Sequence, residues 1–338
     1  MLQGITTQEF NGNEDSVLIK TENLTKIYKH KGDKILKLKK DTTTAVDGID
    51  LTIRKGVHGF LGPNGAGKTS TMKMIIGAIP ITDGSAKVCG YSAGSLNAKK
   101  KIGFLPQHVE FYYDMQGKEF LIHCGRLFGM TKKEAENEAT ELLDEFDLQE
   151  AEMRRIETYS GGMKQRLGLA AALIGKPEIL ILDEPTSDLD PIGRDKIISY
   201  VKKISKQATI FVSSHVLSEV EEMCDTVTVI DHGKLLLTDT IANLKRIYQS
   251  TNNMLTIDTS NNSSVFQALK GKEFIEKIWV DDKTKTIRIL PKNRVKLQNA
   301  IANLMLNGEI LLNKFTQEEF SLKDIFLEVI NKEGFNNE

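Results

Sequence analysis

The 338-residue sequence has few cysteines and almost no net charge, and each shortage excludes a class of protein. Its three cysteines, Cys89, Cys124 and Cys224, show no C-x-x-C spacing, which argues against a disulfide framework and against a zinc site. We expect them to be reduced core residues in the cytosol. Lysine and arginine total 45 and aspartate and glutamate 46, so the formal net charge of −1 gives no electrostatic reason to expect a nucleic-acid partner.

Long hydrophobic runs are also missing. No segment approaches the roughly 18–20 apolar residues that a membrane-spanning helix needs, and the most hydrophobic one, Ile179 to Leu182, has the length of a buried strand. Residues 1–16 are polar and lack the basic end and apolar stretch of a signal peptide, so we expect a disordered tail. If the protein acts at a membrane, another chain must supply the channel.

The most informative stretch is a glycine-rich sequence that directly follows the apolar run Val57 to Leu61 and reads G-x-x-x-x-G-K-T. Glycines at this spacing let successive backbone N–H groups point at phosphate oxygens, while the lysine reaches the terminal phosphates and the hydroxyl binds Mg²⁺. A helix predicted from Ser70 to Ile76 would direct its N-terminus at the phosphates. The residues of this predicted nucleotide-binding loop are Gly62, Pro63, Asn64, Gly65, Ala66, Gly67, Lys68, Thr69 and Ser70.

Two further predicted strands end in groups that suit phosphate chemistry. The apolar run Ile179 to Leu182 is followed by Asp183 and Glu184, and the strand predicted from Thr209 to Ser214 is followed by His215. Continuous apolar runs are typical of central parallel strands, and ligands bind at the carboxyl ends of such strands. One acid suits a Mg²⁺ shell and the other a water-activating base, while the histidine is placed to contact a γ-phosphate.

Three other positions are candidates with alternative interpretations. Tyr28 can stack on an adenine ring or simply occupy a strand edge, and Gln107 follows a strand that Pro106 should end. Ser160-Gly161-Gly162 opens the apolar helix Leu167 to Ile174, either as a helix cap or as a second phosphate-binding element. The lysine-rich stretch 29–40 is interpreted as a solvated loop.

The pattern of elements predicts two domains. Alternating apolar patterns predict strands at Val17 to Thr21 and Ala45 to Ile53, and a hairpin from Thr226 to Leu237 closes the first domain at residue 248. Helical spacing over about residues 108–165 predicts an inserted helical subdomain. Its aromatic and methionine residues belong either to its own core or to an exposed docking patch; they are Phe111, Tyr112, Tyr113 and Met115.

Residues 249–338 form the second predicted domain, after a linker rich in serine, threonine and asparagine. Their predicted order of β-α-β-β-α-β is the split βαβ, or ferredoxin-like, pattern. A last helix is predicted from Leu322 to Ile330, with a capping box formed by Ser321 and Asp324. The second domain contains no nucleophile–base pair or ligand cluster, so we interpret it as regulatory or structural.

Taken together, these motifs resemble the nucleotide-binding subunit of an ATP-binding cassette (ABC) transporter over residues 17–248. Six elements occur in the order of that family: the aromatic Tyr28, the Walker A loop Gly62 to Thr69, the Q-loop Gln107, the signature Tyr159 to Met163, the Walker B pair Asp183-Glu184 and the switch His215. The resemblance implies an α/β P-loop NTPase cassette with an inserted helical subdomain.

Two residues depart from the common family pattern. Asp188 stands where the D-loop most often has glycine, which could alter contacts across a dimer. Met163-Lys164 replaces the commoner glutamine of the signature, a variant typical of exporter-type subfamilies. The segment Ser321 to Leu327 resembles the tails of ATPase subunits that serve ABC-2-type exporters of drugs, antibiotics or lipids.

The same resemblance implies a mechanism. Two cassettes, either two copies of this chain or this chain and a paralogue, pack head to tail, so that Ser160, Gly161 and Gly162 of one cap the ATP held by Lys68 of the other. Thr69, Gln107 and Asp183 hold Mg²⁺, Glu184 polarises the attacking water and His215 holds the γ-phosphate.

The implied function is ATP hydrolysis that powers export through integral membrane permease subunits, at the cytoplasmic face of the cell membrane. A soluble ATPase of the same superfamily, acting as an assembly or translation factor, is the alternative. A non-hydrolysing regulatory cassette is a third possibility, which the intact Glu184 and His215 oppose.

Overall fold

A computed structural model describes residues 17–29, 42–251, 254–281 and 284–317, with the side chains of 247–251 excepted. The chain divides into two compact units, Met1–Ile241 and Ala242–Glu338, and each is described by itself. Three predicted features lie outside the described residues: the tail 1–16, nearly all of the lysine-rich stretch and the last helix from Leu322.

The first unit is built on a six-stranded sheet of order β11-β10-β4-β9-β8-β7. Its five strands from β10 to β7 are parallel, and β11 pairs with β10 in the antiparallel direction. Every residue of β4, β8 and β9 is buried, which explains why these strands are continuous apolar runs in the sequence. The bounds are β4 Val57–Leu61, β7 Ile102–Leu105, β8 Ile179–Asp183, β9 Thr209–Ser214, β10 Thr226–Asp231 and β11 Lys234–Thr240.

Helices connect the parallel strands. The helix after the glycine-rich loop begins at Lys68, earlier than predicted, so that both Lys68 and Thr69 belong to its first turn. Asp190 caps α6 by accepting a hydrogen bond from Gly193 N at 3.0 Å, and Pro191 occupies the first turn, where a missing N–H costs nothing. The bounds are α1 Lys68–Ile75, α2 Leu96–Lys99, α5 Gly161–Leu173, α6 Pro191–Ile204 and α7 Leu217–Met223.

A second sheet of the first unit is antiparallel and contains β1, β2, β3, β5 and β6. The prediction of one strand from Ala45 to Ile53 is wrong, because the chain forms two strands there. Gly48 adopts φ of 64°, and the Asp50 carboxylate, rather than a backbone carbonyl, accepts the hydrogen bond of Asn23 N at 2.6 Å. The bounds are β1 Val17–Lys29, β2 Thr42–Ile49, β3 Thr52–Arg54, β5 Asp83–Val88 and β6 Tyr91–Ser92.

Two helices lie between β7 and α5 in the sequence, α3 Gly117–Leu127 and α4 Lys132–Glu145. A capping box starts α4: Glu134 N donates to Thr131 Oγ1 at 3.3 Å and Thr131 N donates to Glu134 Oε2 at 2.7 Å. The aromatic residues of this region divide between the two predicted roles. Phe111 is buried against Phe120, with ring centroids 5.2 Å apart, whereas Tyr112 and Tyr113 are exposed.

A close backbone approach joins β7 to α5. A Cβ on Gly103 of β7 would overlap the carbonyl oxygen of Ala172 in α5. Only glycine therefore lets this strand and this helix pack at their observed distance.

His58 of β4 is buried in the first unit although it is polar. Its Nε2 lies 2.8 Å from Thr228 Oγ1, which is itself 2.8 Å from Thr238 Oγ1. Burial lowers the pKa of His58 to about 4 from its ordinary value of 6.5, because the charged ring would lose its hydration.

The second unit has a four-stranded antiparallel sheet of order β13-β14-β12-β15 with two helices, α9 and α10. This order and direction match the predicted ferredoxin-like pattern. The linker predicted from residue 249 begins inside helix α8, which extends to Thr251, and the boundary between the two compact units falls at 241/242 rather than at 248/249. The bounds are α8 Ile241–Thr251, β12 Leu255–Thr259, α9 Asn262–Leu269, β13 Ile275–Val280, β14 Ile287–Pro291, α10 Arg294–Leu306 and β15 Leu312–Gln317.

The described ranges contain no helix with the length and apolar character needed to cross a bilayer.

Candidate active site

A cavity of about 730 Å³ opens in the first unit where the loops after β4, β8 and β9 meet. The carboxyl ends of these adjacent parallel strands bring the glycine-rich loop, the two acids and the histidine to one edge of the sheet, as predicted. The cavity is lined by Ala45, residues 64–70, Gln107, Glu184, Thr186, Ser187, Asp188, Arg194, Ser214, His215, Val216 and Glu219.

The glycine-rich loop curls tightly against its own domain. Gly67 has φ of 106°, and a Cβ there would overlap the carbonyl oxygen of Ala45. Lys68 is 5 % exposed, and its Nζ donates to the carbonyl oxygens of Gly62 at 2.7 Å and Pro63 at 3.1 Å. The loop thus holds its lysine in a fixed position at the N-terminus of α1.

The two acids after β8 make different contacts. Asp183 Oδ1 accepts hydrogen bonds from Thr69 Oγ1 at 3.2 Å and from Ser213 Oγ at 2.7 Å. The Glu184 carboxylate contacts two residues of the cavity wall. Its Oε1 lies 3.2 Å from Lys68 Nζ, and its Oε2 lies 3.0 Å from His215 Nδ1. Asp183 is therefore joined to the Thr69 hydroxyl, and Glu184 to the Lys68 ammonium and the His215 ring.

The backbone at Glu184 is unusual. Its φ of 49° lies in the left-handed region, which few residues other than glycine adopt without cost. Glu184 N donates to Ser213 Oγ at 2.9 Å, so the neighbouring strand helps to hold this conformation. The strained turn places the Glu184 side chain in the cavity, 7 % exposed.

Gln107 and Tyr28 lie at the periphery of the site. Gln107 follows β7 and Pro106, as predicted, and is part of the cavity wall. Tyr28 does not line the cavity, but its hydroxyl is 3.3 Å from Ser70 Oγ and its ring is 38 % exposed. Lys26 Nζ lies 5.1 Å from the centroid of that ring, in a cation–π contact.

The signature residues are not brought into the cavity of their own chain. Ser160 caps α5 by accepting a hydrogen bond from Met163 N at 3.3 Å. A Cβ added at Gly161 or at Gly162 would meet no atom within 4 Å. The packing of this chain therefore does not require glycine at either position.

Several residues of the cavity wall were not predicted individually. Thr186 and Ser187 lie between Glu184 and Asp188 in the chain, whereas Arg194 and Glu219 belong to α6 and α7. Asp188 has φ of 61°, which suits the glycine it replaces, and its carboxylate is 4.0 Å from His108 Nδ1. One weak feature of the sequence points to Glu219, because its carboxylate stands beside the apolar residues of α7.

The donor groups at Thr69, Asp183 and Gln107 fit a magnesium ion. All three carry oxygen, and Mg²⁺ in nucleotide sites is commonly held by one or two carboxylates together with substrate phosphates. No cluster of three or more histidine, cysteine, aspartate or glutamate side chains suited to a metal occurs among the residues that the structure describes. Magnesium at this site would therefore depend on phosphate oxygens.

Comparison with known proteins assigns the family. The family model described as ABC transporter matches residues 46–187. The linearmycin resistance ATP-binding protein LnrL of Bacillus subtilis is 33 % identical over 93 % of this chain and 99 % of its own length. The bacitracin transport ATP-binding protein BcrA of Bacillus licheniformis is 32 % identical over 93 % of this chain and 98 % of its own length.

Solved structures agree on the fold. A dimeric bacterial ABC transporter cassette superimposes with a TM-score of 0.59 at 23 % identity, covering 66 % of this chain and 99 % of the cassette. The ATP-binding subunit of another ABC transporter gives a TM-score of 0.58 at 23 % identity, covering 68 % of this chain and 93 % of that one. The first unit is thus a P-loop NTPase cassette, and the chain belongs to the ABC transporter family as an ATP-binding, ATP-hydrolysing subunit related to exporter cassettes.

Proposed function

We propose that this chain binds MgATP in the cavity of its first unit, pairs head to tail with a second cassette and powers export through separate integral membrane permease subunits. The observation that carries the proposal is the convergence of Lys68, Thr69, Asp183, Glu184 and His215, which hydrogen bonds and ion pairs join into one network.

The chemistry follows from these positions. The buried Lys68 ammonium and the backbone N–H groups at the start of α1 bind the β- and γ-phosphates, and Tyr28 stacks on the adenine. Thr69, Asp183 and Gln107 would hold a magnesium ion, which would supply positive charge to balance the charge that develops on the phosphate.

Hydrolysis depends on the other two residues of the network. Glu184 accepts the proton of the attacking water, and His215, 3.0 Å from it, holds the carboxylate and the γ-phosphate in line. Positioning and charge stabilisation carry most of the acceleration in phosphoryl transfer, which suits the buried Lys68, Asp183 and Glu184.

The signature completes the site from a second chain. Ser160, Gly161 and Gly162 line no part of the cavity of their own chain, and among the described residues none would lie within 4 Å of a Cβ added at either glycine. Small residues at this exposed helix start leave room for a ligand from outside the chain. A γ-phosphate held by Lys68 of the other cassette fits this requirement, since the N-terminus of α5 presents free N–H groups and a positive dipole end. Two identical chains would form two complete sites.

The direction of transport rests on the relatives. LnrL and BcrA are named for antibiotic resistance and bacitracin transport, and the daunorubicin/doxorubicin resistance protein DrrA of Streptomyces peucetius is 31 % identical over 91 % of this chain. These names favour export of a drug or an antibiotic over import. They do not favour the alternative of a soluble assembly or translation factor.

A membrane co-purification tests the proposal. The full-length chain, tagged and expressed in its own host, is solubilised from membranes with mild detergent, and the proteins that remain bound are identified by mass spectrometry. We expect an integral membrane protein with about six spans, and Mg²⁺-dependent ATPase activity in the purified complex. Recovery of the chain from the soluble fraction with ribosomal or assembly factors, and without a membrane protein, would support the alternative.

A further inference from the structure

Glu219 of α7 is a buried carboxylate for which the proposed mechanism has no role. It is 5 % exposed, and its Oε2 accepts two hydrogen bonds, from Thr186 Oγ1 at 2.6 Å and from Ser214 Oγ at 3.1 Å. Hydrogen bonds to an ionised acceptor are shorter and stronger than neutral ones. One oxygen atom therefore ties together two segments that are far apart in the sequence.

Both segments carry the reacting groups. Thr186 follows Glu184 by two positions, and Ser214 directly precedes His215. The Ser214 hydroxyl also accepts a hydrogen bond from Val216 N at 2.9 Å, which fixes the backbone on the other side of His215. Glu219 thus contacts the residue two positions after Glu184 and the residue directly before His215.

The conformation at Glu184 needs such support. Left-handed φ at a residue other than glycine persists only where the surroundings hold it. The Glu184–Ser187 turn is held from a second side by Gln165, a buried residue of α5, whose Nε2 donates to Pro185 O at 2.7 Å. Gln165 holds the backbone of the turn, whereas Glu219 holds its side chain and at the same time the segment of His215.

We propose that Glu219 is a positioning residue for hydrolysis, which fixes the distance between the Glu184 carboxylate and the His215 ring by clamping Thr186 and Ser214. The inference rests on the proposed roles of Glu184 and His215. Glu219 also lies in the first turn of α7, where a carboxylate stabilises a helix through its dipole. If Glu219 only stabilised α7 in this way, its replacement would lower the melting temperature and leave kcat unchanged.

Steady-state kinetics of the full-length chain separate the two roles. The variants are Glu219→Leu, Glu219→Gln and Thr186→Val, with Glu222→Gln as the control, since Glu222 is an exposed residue of the same helix that pairs with Lys202. We expect Glu219→Leu to lower kcat about 10- to 100-fold with KM for MgATP within about 3-fold, because a small misplacement of reacting groups costs turnover rather than binding. Glu219→Gln, which keeps an acceptor oxygen, should restore part of kcat.

Coupling between the two partners supplies a second readout. Thr186→Val should also lower kcat, and the double variant with Glu219→Leu should be little worse than Glu219→Leu alone, since Glu219→Leu already removes the hydrogen bond that Thr186→Val removes. The proposal is overturned if the Glu219 variants lower only the melting temperature and keep wild-type kcat, or if kcat and affinity fall together. Should Glu219→Leu fail to fold, Thr186→Val decides alone. A wild-type chain without Mg²⁺-dependent hydrolysis would instead contradict the proposed function.

Discussion

Lys68 and Glu184 form a buried ion pair, with 3.2 Å between Nζ and Oε1 and less than a tenth of either side chain exposed. The Lys68 ammonium also donates to the carbonyl oxygens of Gly62 and Pro63, so its three protons face three oxygen atoms. A phosphate oxygen that binds to Lys68 must therefore replace one of these bonds. Nucleotide binding and the position of the catalytic carboxylate are linked through this ammonium.

The first prediction concerns Glu184→Gln. The amide keeps the shape of the side chain but accepts no proton, so ATP hydrolysis should fall at least ~100-fold, a typical loss for a general base. Affinity for ATP should be retained, because Gln places no negative charge beside the bound phosphates. Phosphate release and equilibrium binding of a fluorescent ATP analogue measure the two effects, and wild-type turnover in this variant would contradict the role of Glu184.

The second prediction tests whether each site is shared between two chains. Lys68→Ala should lose nucleotide affinity and Gly162→Asp should block the signature, so each variant alone should be inactive. Mixing the two should restore activity, because a mixed dimer pairs the intact Lys68 of one chain with the intact signature of the other. With random pairing we expect about a quarter of wild-type activity from the mixture.

Mixing has a matched control. Lys68→Ala mixed with Glu184→Gln should remain less active than the mixture of Lys68→Ala with Gly162→Asp. In a head-to-tail dimer each site takes Lys68 and Glu184 from the same chain. Both sites of the mixed dimer therefore carry one of the two substitutions and are defective. Equal recovery in both mixtures, or none in either, would argue against a composite site.

The third prediction concerns the exposed ring of Tyr28. Tyr28→Ala should weaken ATP binding on the order of 10-fold, the scale of a lost base-stacking contact, and should leave binding of inorganic tripolyphosphate unchanged. Tyr91→Ala serves as the control, because Tyr91 is similarly exposed on β6. Equal losses for ATP and tripolyphosphate would mean that Tyr28 acts through Ser70 and the phosphate loop instead.

The fourth prediction follows from the buried ring of His58. Its pKa of about 4 in the folded chain lies below the ordinary value of 6.5, so the unfolded chain takes up the proton first as the pH falls. The contribution of His58 to stability is complete above pH 6.5 and is lost between 6.5 and 4, with a slope of at most about 1.4 kcal/mol per pH unit.

His58→Leu removes this dependence. The variant lacks the hydrogen bond to Thr228 and should be less stable than wild type at neutral pH, but the difference should narrow as the pH is lowered. Thermal unfolding of wild type and His58→Leu at several pH values from about 7.5 to 5 measures this difference in stability. If the melting temperatures of the two proteins changed in parallel with pH, the His58 ring would take up no proton on unfolding.

Which residues meet at the cavity could be predicted from the sequence better than the hydrogen bonds that join them. Apolar runs that end in Asp183-Glu184 and in His215 identify parallel strands, and parallel strands deliver their ends to one edge, so the meeting of these residues followed from chain pattern alone. The contacts of Glu219 could not be predicted in this way. A carboxylate on a short helix is expected to be exposed to solvent, and only the fold shows which face of the helix is buried.

Local backbone geometry was also hidden. The chain leaves β2 after Ile49 and enters β3 at Thr52, although the apolar alternation continues through residues 50 and 51. The sequence pattern does not indicate this change of strand, at which the Asp50 carboxylate accepts a hydrogen bond from Asn23 N. Helix α8 was missed for a similar reason, because serine, threonine and asparagine near its end are common in linkers. The left-handed turn at Glu184 has no sequence signal, since glutamate rarely adopts it.

The contact at Gly103 limits which residue position 103 can hold. An added Cβ there would lie within 3 Å of the Ala172 carbonyl oxygen and of Leu180 Cδ1, so β7 and α5 could not keep their observed separation. A Gly103→Ala chain would therefore have to move β7 away from the C-terminal end of α5, the helix that Ser160 caps at its other end.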